Sequence, residues 1–259
     1  MTDVLSARLA ALRAEAPPEV LPGILAEVGI ADRYVRRDSP IGPVYVALNR
    51  AGVSCVDVAY DEARFERRFA RRFGRPAIPA GTLPDRLLSR IDRALAEGRP
   101  ASLDLDLRGL TSFRRAVLLK AAEIPRSEVR PYGWVAREIG RPGAGRAVGS
   151  ALAANPVPII VPCHRVVRSD GGFGEYSLGR PGNKRALLEA EGLDAGEHER
   201  FARRGMRFVG SDTTRVFCLP TCRHARRISS AHRVEFRDHI AATAAGYRPC
   251  SRCRPAEAA

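Results

Sequence analysis

Lysine is almost absent from this chain. Only Lys120 and Lys184 occur among its 43 basic residues, so arginine carries nearly all of the positive charge. Alanine, glycine and proline are abundant beside it, a composition that points to GC-rich coding. The formal net charge of +14 favours a polyanionic partner, nucleic acid being the commonest, but charge alone does not establish one. Long apolar runs are also missing, which excludes a membrane-spanning helix and a membrane partner. The opening MTDVLSARLAALRAEAPPEV lacks the basic start and unbroken apolar stretch of a signal peptide. The expectation is a protein of the bacterial cytosol or nucleoid, monomeric by default, with its thiols reduced. Six cysteines then need a reason other than disulfides. They fall as Cys55 alone, Cys163 alone, and the group Cys218, Cys222, Cys250 and Cys253.

Residues 1–34 read as an amphipathic helical extension, with Leu5, Leu9 and Leu12 on one side and a break at Pro17-Pro18. IGPVYVALNRAGVSCVDVAY reads as two strands about an Asn49–Gly52 turn, with Val44, Val46 and Leu48 forming the buried face of the first. Cys55 is a small core hydrophobe with no chemical task. DEARFERRFARRF predicts a helix buried through Phe65, Phe69 and Phe73, its arginines a solvated face. RLLSRIDRALAEG predicts another helix, SLDLDL a short strand, and Thr111–Ala122 a third helix. Polar, charged GLDAGEHERFARRG reads as the boundary before a separate cysteine-bearing segment, with the linker at 196–206.

VRPYGWVAREIGRPGAGRAVGSALAAN carries two helical stripes separated by Gly140–Gly143, which suggests helix-turn-helix. Ala147, Val148, Ala151 and Leu152 form the apolar stripe of the second helix. Its other face offers Arg146, Gly149, Ser150 and Ala153. A face of small residues lets the backbone approach a duplex closely, which suits the minor groove rather than base reading in the major groove. The same composition also suits plain packing on a core.

The run NPVPIIVPCHRVVR places a cysteine, a histidine and an arginine at the end of an apolar stretch fenced by Pro158 and Pro162. It predicts a buried, extended segment. A thiol attacks only as thiolate, so it needs a base or a positive field, and His164 and Arg165 are at hand. Neighbouring side chains on an extended chain point to opposite faces, which favours a bridging water over direct contact.

This run, with RAVGSALAANP and GEYS…K…LLEAEG, resembles the O6-alkylguanine-DNA alkyltransferases over roughly residues 41–192. The resemblance implies a ribonuclease-H-like α/β domain (35–110) followed by a winged-helix active-site domain (111–195) that docks in the minor groove. It implies Cys163 as alkyl acceptor, His164 as its activator through a water, Glu191 as the group orienting the histidine, and Asn155 as a hinge. It further implies that Arg146 fills the space left by the flipped nucleotide, supported by the small face of Gly149 and Ser150, and that Tyr132 contacts the nucleotide. Tyr176, Ser177, Pro158, the Val166 carbonyl and Lys184 are implied to line the guanine pocket. Physics agrees with flipping: O6 of a paired guanine lies inside the duplex, beyond reach of a buried sulfur. The implied activity is irreversible, single-turnover repair of O6-alkylguanine in duplex DNA, without a cofactor. Two departures stand out. The loop between Tyr176 and Lys184 is one residue longer than the pattern, and Arg126-Ser127 replaces a more usual tyrosine-glycine turn. The alternatives are a sensor of alkylated DNA that does not repair, which would lack the acceptor thiol, and a thiol hydrolase, which would need an oxyanion hole.

The tail pairs Cys218-x3-Cys222 with Cys250-x2-Cys253, the pattern of a tetrahedral metal site, zinc before iron–sulfur. From Glu197 onward thirteen arginines face six acidic residues, a phosphate-seeking excess. His224, His232 and His239 read as surface groups, since four thiolates saturate zinc. TTRVFCLPTCR and AAGYRPCSRC resemble the metal-binding domain of Ada-type proteins, giving a zinc unit at 207–259. That resemblance implies Cys218 as a second methyl acceptor, from DNA methylphosphotriesters. A unit that only anchors DNA is the simpler reading. The familiar order is reversed here, with the zinc unit last and no regulatory module behind it.

Overall fold

The computed structural model describes residues 20–100, 102–176, 178, 180 and 182–255; Leu5, Leu9, Leu12 and Ser177 lie outside them. Chain order is α1 (Val20–Glu27), β1 (Asp32–Arg37), β2 (Val44–Asn49), β3 (Gly52–Val58), α2 (Glu62–Phe73), β4 (Ala77–Pro79), α3 (Asp85–Glu97) and α4 (Ser112–Ala122). Next come β5 (Arg130–Pro131), α5 (Tyr132–Glu138), α6 (Gly145–Ala153), a 3-10 turn at Cys163–Arg165, β6 (Val166–Val167), α7 (Asn183–Ala190) and α8 (Ala195–Arg203). The last part holds β7 (Phe208–Ser211), β8 (Val216–Cys218), β9 (Arg233–Phe236), α9 (His239–Ala244) and β10 (Arg248–Pro249).

The first sheet runs β3-β2-β1-β4, with β1 parallel to β4 and the other pairs antiparallel. Its hairpin turns where expected. Asn49 Oδ1 accepts from Ala51 N–H, and Gly52 sits at φ +123 with its Cα so near Asp104 that any Cβ would clash with backbone. The expected single buried face is wrong for β2. Val44 and Val46 join the main core with Ile91 and Leu95 of α3, while Tyr45 and Ala47 pack under Phe65 and Phe69 of α2. Helices cover both faces, so strict alternation disappears. Cys55 is buried on the α2 side, and burial pushes its thiol up to about 12, which leaves it inert. α2 starts on Asp61, whose Oδ1 accepts from Arg64 N–H, and stops at left-handed Gly74. Such a cap contributes about 1 kcal/mol.

The strand expected at SLDLDL makes only one bridge, Leu105 to Val53. The helical extension expected over 1–34 is wrong at its end: Asp32, Arg33 and Tyr34 open β1, with Asp32 buried inside a cluster with Arg75, Asn49 and Ser54.

The helical part packs α4, α5 and α6 together. Gly140 (φ +70) and Gly143 (φ +83) make the turn between α5 and α6. Two-stranded β5–β6 pairing joins the lead-in of α5 to the residues just after Cys163. The polar stretch expected as a linker at 196–206 is helical over 196–203. α8 is capped by Asp194 and buries Ala195, His198 and Phe201, the last of them in the core of the C-terminal unit. That unit has its own sheet, β10-β8-β7-β9, around Phe208, Phe217, Phe236, Tyr247 and the four cysteines. No helix among the described residues is long and apolar enough to cross a membrane.

Candidate active site and metal centre

Residues 155–163 are buried as expected but not extended. Pro158 and Pro162 lack the N–H groups a strand would use. The chain instead folds into a tight turn, with Val161 N–H on the Val157 carbonyl and Ile159 at φ +71. A β-branched residue there stores roughly 1–3 kcal/mol, held by its surroundings. Asn155 is the clamp. Its Oδ1 accepts from Val157 N–H (3.0 Å), and its Nδ2 donates to the Val161 carbonyl (3.0 Å) and to Cys163 Sγ (3.2 Å).

Cys163 is 5% exposed. Burial pushes its thiol up, and the Asn155 hydrogen bond and the Lys184 ammonium only partly oppose this. The free protein therefore holds a thiol, not the thiolate that attack requires. The Tyr176 hydroxyl is near enough to bias the sulfur but makes no hydrogen bond of ordinary geometry. His164 is wholly buried, and Nε2 lies 2.7 Å from Glu191 Oε1. A carboxylate only accepts, so Nε2 carries the proton and Nδ1 keeps its lone pair. Nδ1 has no partner among the described residues. Burial lowers the imidazole's basicity, and Glu191 only partly restores it, so the ring is neutral at rest. Burial alone would raise the Glu191 carboxyl, yet hydrogen bonds from His164 and Arg165 bring it down to about 2.

Arg165, a neighbour of the expected residues, is the buried hub. Its Nε and NH2 fork grips Glu191, while NH1 and NH2 reach the Ile124 and Glu97 carbonyls (2.7 and 2.9 Å). The sequence offers it as a source of field beside the thiol. Its work is to fix the carboxylate.

Cys163 opens on a cavity of about 440 Å³ lined by Tyr132, Gly149, Leu152, Ala153, Arg168, Gly174, Glu175 and Tyr176. Tyr132 and Tyr176 are thus brought together, with Gly149 of α6 beside them. Arg168, Gly174 and Glu175 are additions, carried by the loop around the expected Tyr176 and visible only once that loop folds over α6. Pro158 and Val166 are buried but do not line the cavity. Lys184 Nζ donates to the Val166 carbonyl (2.6 Å) and sits 5.8 Å from the Tyr132 ring centre. Burial pulls its ammonium down to about 8. Arg146 and Ser150 are on the exposed face of α6, together with Ala147, which the sequence placed on the buried stripe.

The four paired cysteines also converge. Their sulfurs lie within 4.8 Å of one another and are all buried. Tetrahedral zinc with Zn–S near 2.3 Å needs sulfurs about 3.8 Å apart, so the set fits the ion. Leu219 N–H points at Cys253 Sγ (3.4 Å), and His224 Nδ1 lies 3.7 Å from Cys250 Sγ as an exposed neighbour outside the set. His232 pairs with Asp212 on the surface. A cleft of about 500 Å³ is lined by Cys218, the one cysteine of the four that borders it, together with His224, Arg227, Arg248, Ser211, Thr213, Thr214 and Ser229.

Comparison with known proteins gives the same division. Residues 112–193 match the family described as 6-O-methylguanine DNA methyltransferase, DNA binding domain, and residues 197–256 match the metal binding domain of Ada. A methylated-DNA–protein-cysteine methyltransferase of Mycobacterium bovis is 40% identical over 158 residues, 61% of this chain and 91% of that protein. The chain belongs to this methyltransferase family. A relative of the same description from Methanosarcina barkeri is 37% identical over 147 residues, covering 55% of this chain and 86% of its own. Among solved structures, Mycobacterium tuberculosis OGT in complex with DNA is 35% identical, covers 62% of this chain and 93% of that one, and has a TM-score of 0.50. The methyltransferase part here is thus a mixed arrangement of sheet and helices, extended at its C-terminus by a zinc-binding domain.

Proposed function

We propose that the chain repairs O6-alkylguanine in duplex DNA by moving the alkyl group irreversibly to Cys163. The observation that carries this is the relay at the cavity floor: a buried thiol, a neutral imidazole with Nδ1 free, and Nε2 held by an ionised Glu191. A water between Nδ1 and Sγ takes the thiol proton toward the imidazole as sulfur attacks the alkyl carbon. The carbon–O6 bond breaks, a carbon–sulfur bond forms, and the proton ends on the departing guanine. Nothing else is consumed. The thioether has no route back, so each molecule acts once.

In this reading the sheet-bearing part, expected at 35–110 and beginning with β1 at Asp32, is the ribonuclease-H-like domain, and 111–195 the winged-helix domain. The small exposed face of α6 seats in the minor groove, and Arg146 fills the gap left by the flipped nucleotide, offsetting part of the few kcal/mol that extrusion costs. Tyr132 and Tyr176 face the guanine. A sensor without repair would have no need of the thiol and its relay. Incubation with a duplex containing O6-methylguanine, followed by peptide mass spectrometry, tests this. One methyl per protein on the Cys163 peptide is the expected result. Unmodified protein that still binds the lesion would select the sensor.

A second reading concerns Cys218, supported by its being the one cysteine of the four that lines the arginine-bearing cleft. Cys218, Cys222, Cys250 and Cys253 would hold zinc, which when bound would keep their sulfurs as thiolates. The Cys218 sulfur takes the methyl carbon of a methylphosphotriester, and the phosphodiester leaves as an anion beside Arg227 and Arg248. The same assay with methylphosphotriester DNA should add a methyl to Cys218 and not to Cys222.

A further inference from the structure

The turn at Arg126-Ser127, where the sequence departs from the family pattern, is where the zinc-binding domain docks. Ser127 holds φ +59, a left-handed conformation that favours glycine. With this backbone its N–H donates to Glu191 Oε2 (3.2 Å), on the carboxylate that orients His164. Its hydroxyl donates to the Arg126 carbonyl (2.7 Å) and accepts from Arg226 NH1 (3.1 Å), a guanidinium of the zinc-binding domain. Arg226 is tied in turn to the metal loop, since its N–H donates to the Cys222 carbonyl (3.1 Å). Contacts alongside come from the same loops. Val129 N–H donates to Thr221 Oγ1 (2.9 Å), and Arg223 N–H donates to Glu128 Oε1 (3.1 Å).

Resting on the reading of Cys163 as alkyl acceptor, we propose that Arg226 is a positioning residue for transfer at Cys163, acting through Ser127 on Glu191 and His164. Arg226 keeps a non-glycine residue in the left-handed region. Without it Ser127 relaxes toward the ordinary φ range, its N–H swings off Oε2, and the carboxylate is left with Arg165 and His164 as its donors. The thiol's proton acceptor is then less well aimed. The zinc-binding domain is in this sense a brace for the neighbouring active site as well as a DNA-binding unit.

The test uses full-length, zinc-loaded protein. Single-turnover methyl transfer from an O6-methylguanine duplex is timed at saturating protein, and duplex affinity is measured separately in a Cys163→Ala background. Arg226→Ala should lower the transfer rate constant by about tenfold, short of the ~100-fold that an ångström of misplacement costs, with affinity within about twofold. Ser127→Gly in the Arg226→Ala background should restore the rate to within about threefold of wild type, because glycine takes the turn unaided. Arg226→Gln, checked for full zinc content by native mass spectrometry, repeats the comparison should the alanine variant fold poorly. An unchanged rate in the Arg226 variants, or a loss that Ser127→Gly does not reverse, overturns the proposal. Absence of transfer in the wild-type protein would instead overturn the parent reading.

Discussion

His164 has two ring nitrogens with different tasks, and Glu191 assigns them. The carboxylate takes the Nε2 proton and leaves Nδ1 as the base. Glu191→Gln keeps the shape but can present its amide N–H to Nε2, favouring the wrong tautomer. Single-turnover transfer should fall by at least ~10²-fold, a mild version of the loss seen when a triad carboxylate becomes an amide. Burial lowers the His164 pKa, so the ring stays neutral and competent below the ordinary imidazole value of about 6.5. The acid limb of the rate profile should therefore lie beneath that value. Lys184 and Arg165 repel a proton on the ring, and Glu191 attracts one, so Lys184→Ala should move the limb upward. Stability carries its own signature. A carboxyl depressed to about 2 contributes stability that is complete above its ordinary 4.5 and is lost as pH falls from there toward 2. Urea midpoints measured across that window should slope steeply for wild type and less for Glu191→Gln.

At the scale of elements, what was legible depended on whether a pattern was local. α2, α3, α4 and the α5–α6 pair stand where periodicity and glycine turns put them, because each buries one stripe. β1 was hidden: three of the six residues of DRYVRR are arginines, and what buries Asp32 is Arg75, distant in sequence. The turn at Ile159 was hidden for a similar reason. An apolar run reads as extended, and only Asn155, closing on both ends of the loop, forces the left-handed residue. Asn155, Cys163 and His164 stand in one contiguous signature, whereas Tyr132, Arg146, Tyr176 and Glu191 lie outside it, and the grip of Arg165 on Glu191 spans 26 positions and has no local mark. The small face of α6 yields its own test. Ser150 is exposed, so Ser150→Leu should leave thermal stability within about 0.5 kcal/mol. It should hold the helix backbone off the duplex and weaken binding about tenfold, ~1.4 kcal/mol, by fluorescence anisotropy.

For the whole molecule, two families meet in one chain, and the contacts between them are what sequence reading had no means to see. Trp134, on α5, donates its indole N–H to the carbonyl of Cys253 (2.9 Å), 119 positions away. Arg254 pairs with Glu138 beside it, and Arg137 reaches the Arg254 carbonyl (2.7 Å). Such contacts need the metal loops in place, and a unit this small draws much of its folding energy from its ion. Removing the ion should therefore be felt in the methyltransferase part. Trp134 is the single tryptophan of the chain and is 5% exposed, so it reports on that interface without labelling. Treatment with a strong chelator should shift its emission to the red as water reaches the indole, and restored zinc should reverse the shift. Thermal unfolding of the methyltransferase part should move down in parallel, since Thr221 no longer satisfies the buried Val129 N–H. An emission spectrum indifferent to chelation, in protein shown to have lost its zinc, would mean that the two units fold independently and that their contact does not depend on the metal.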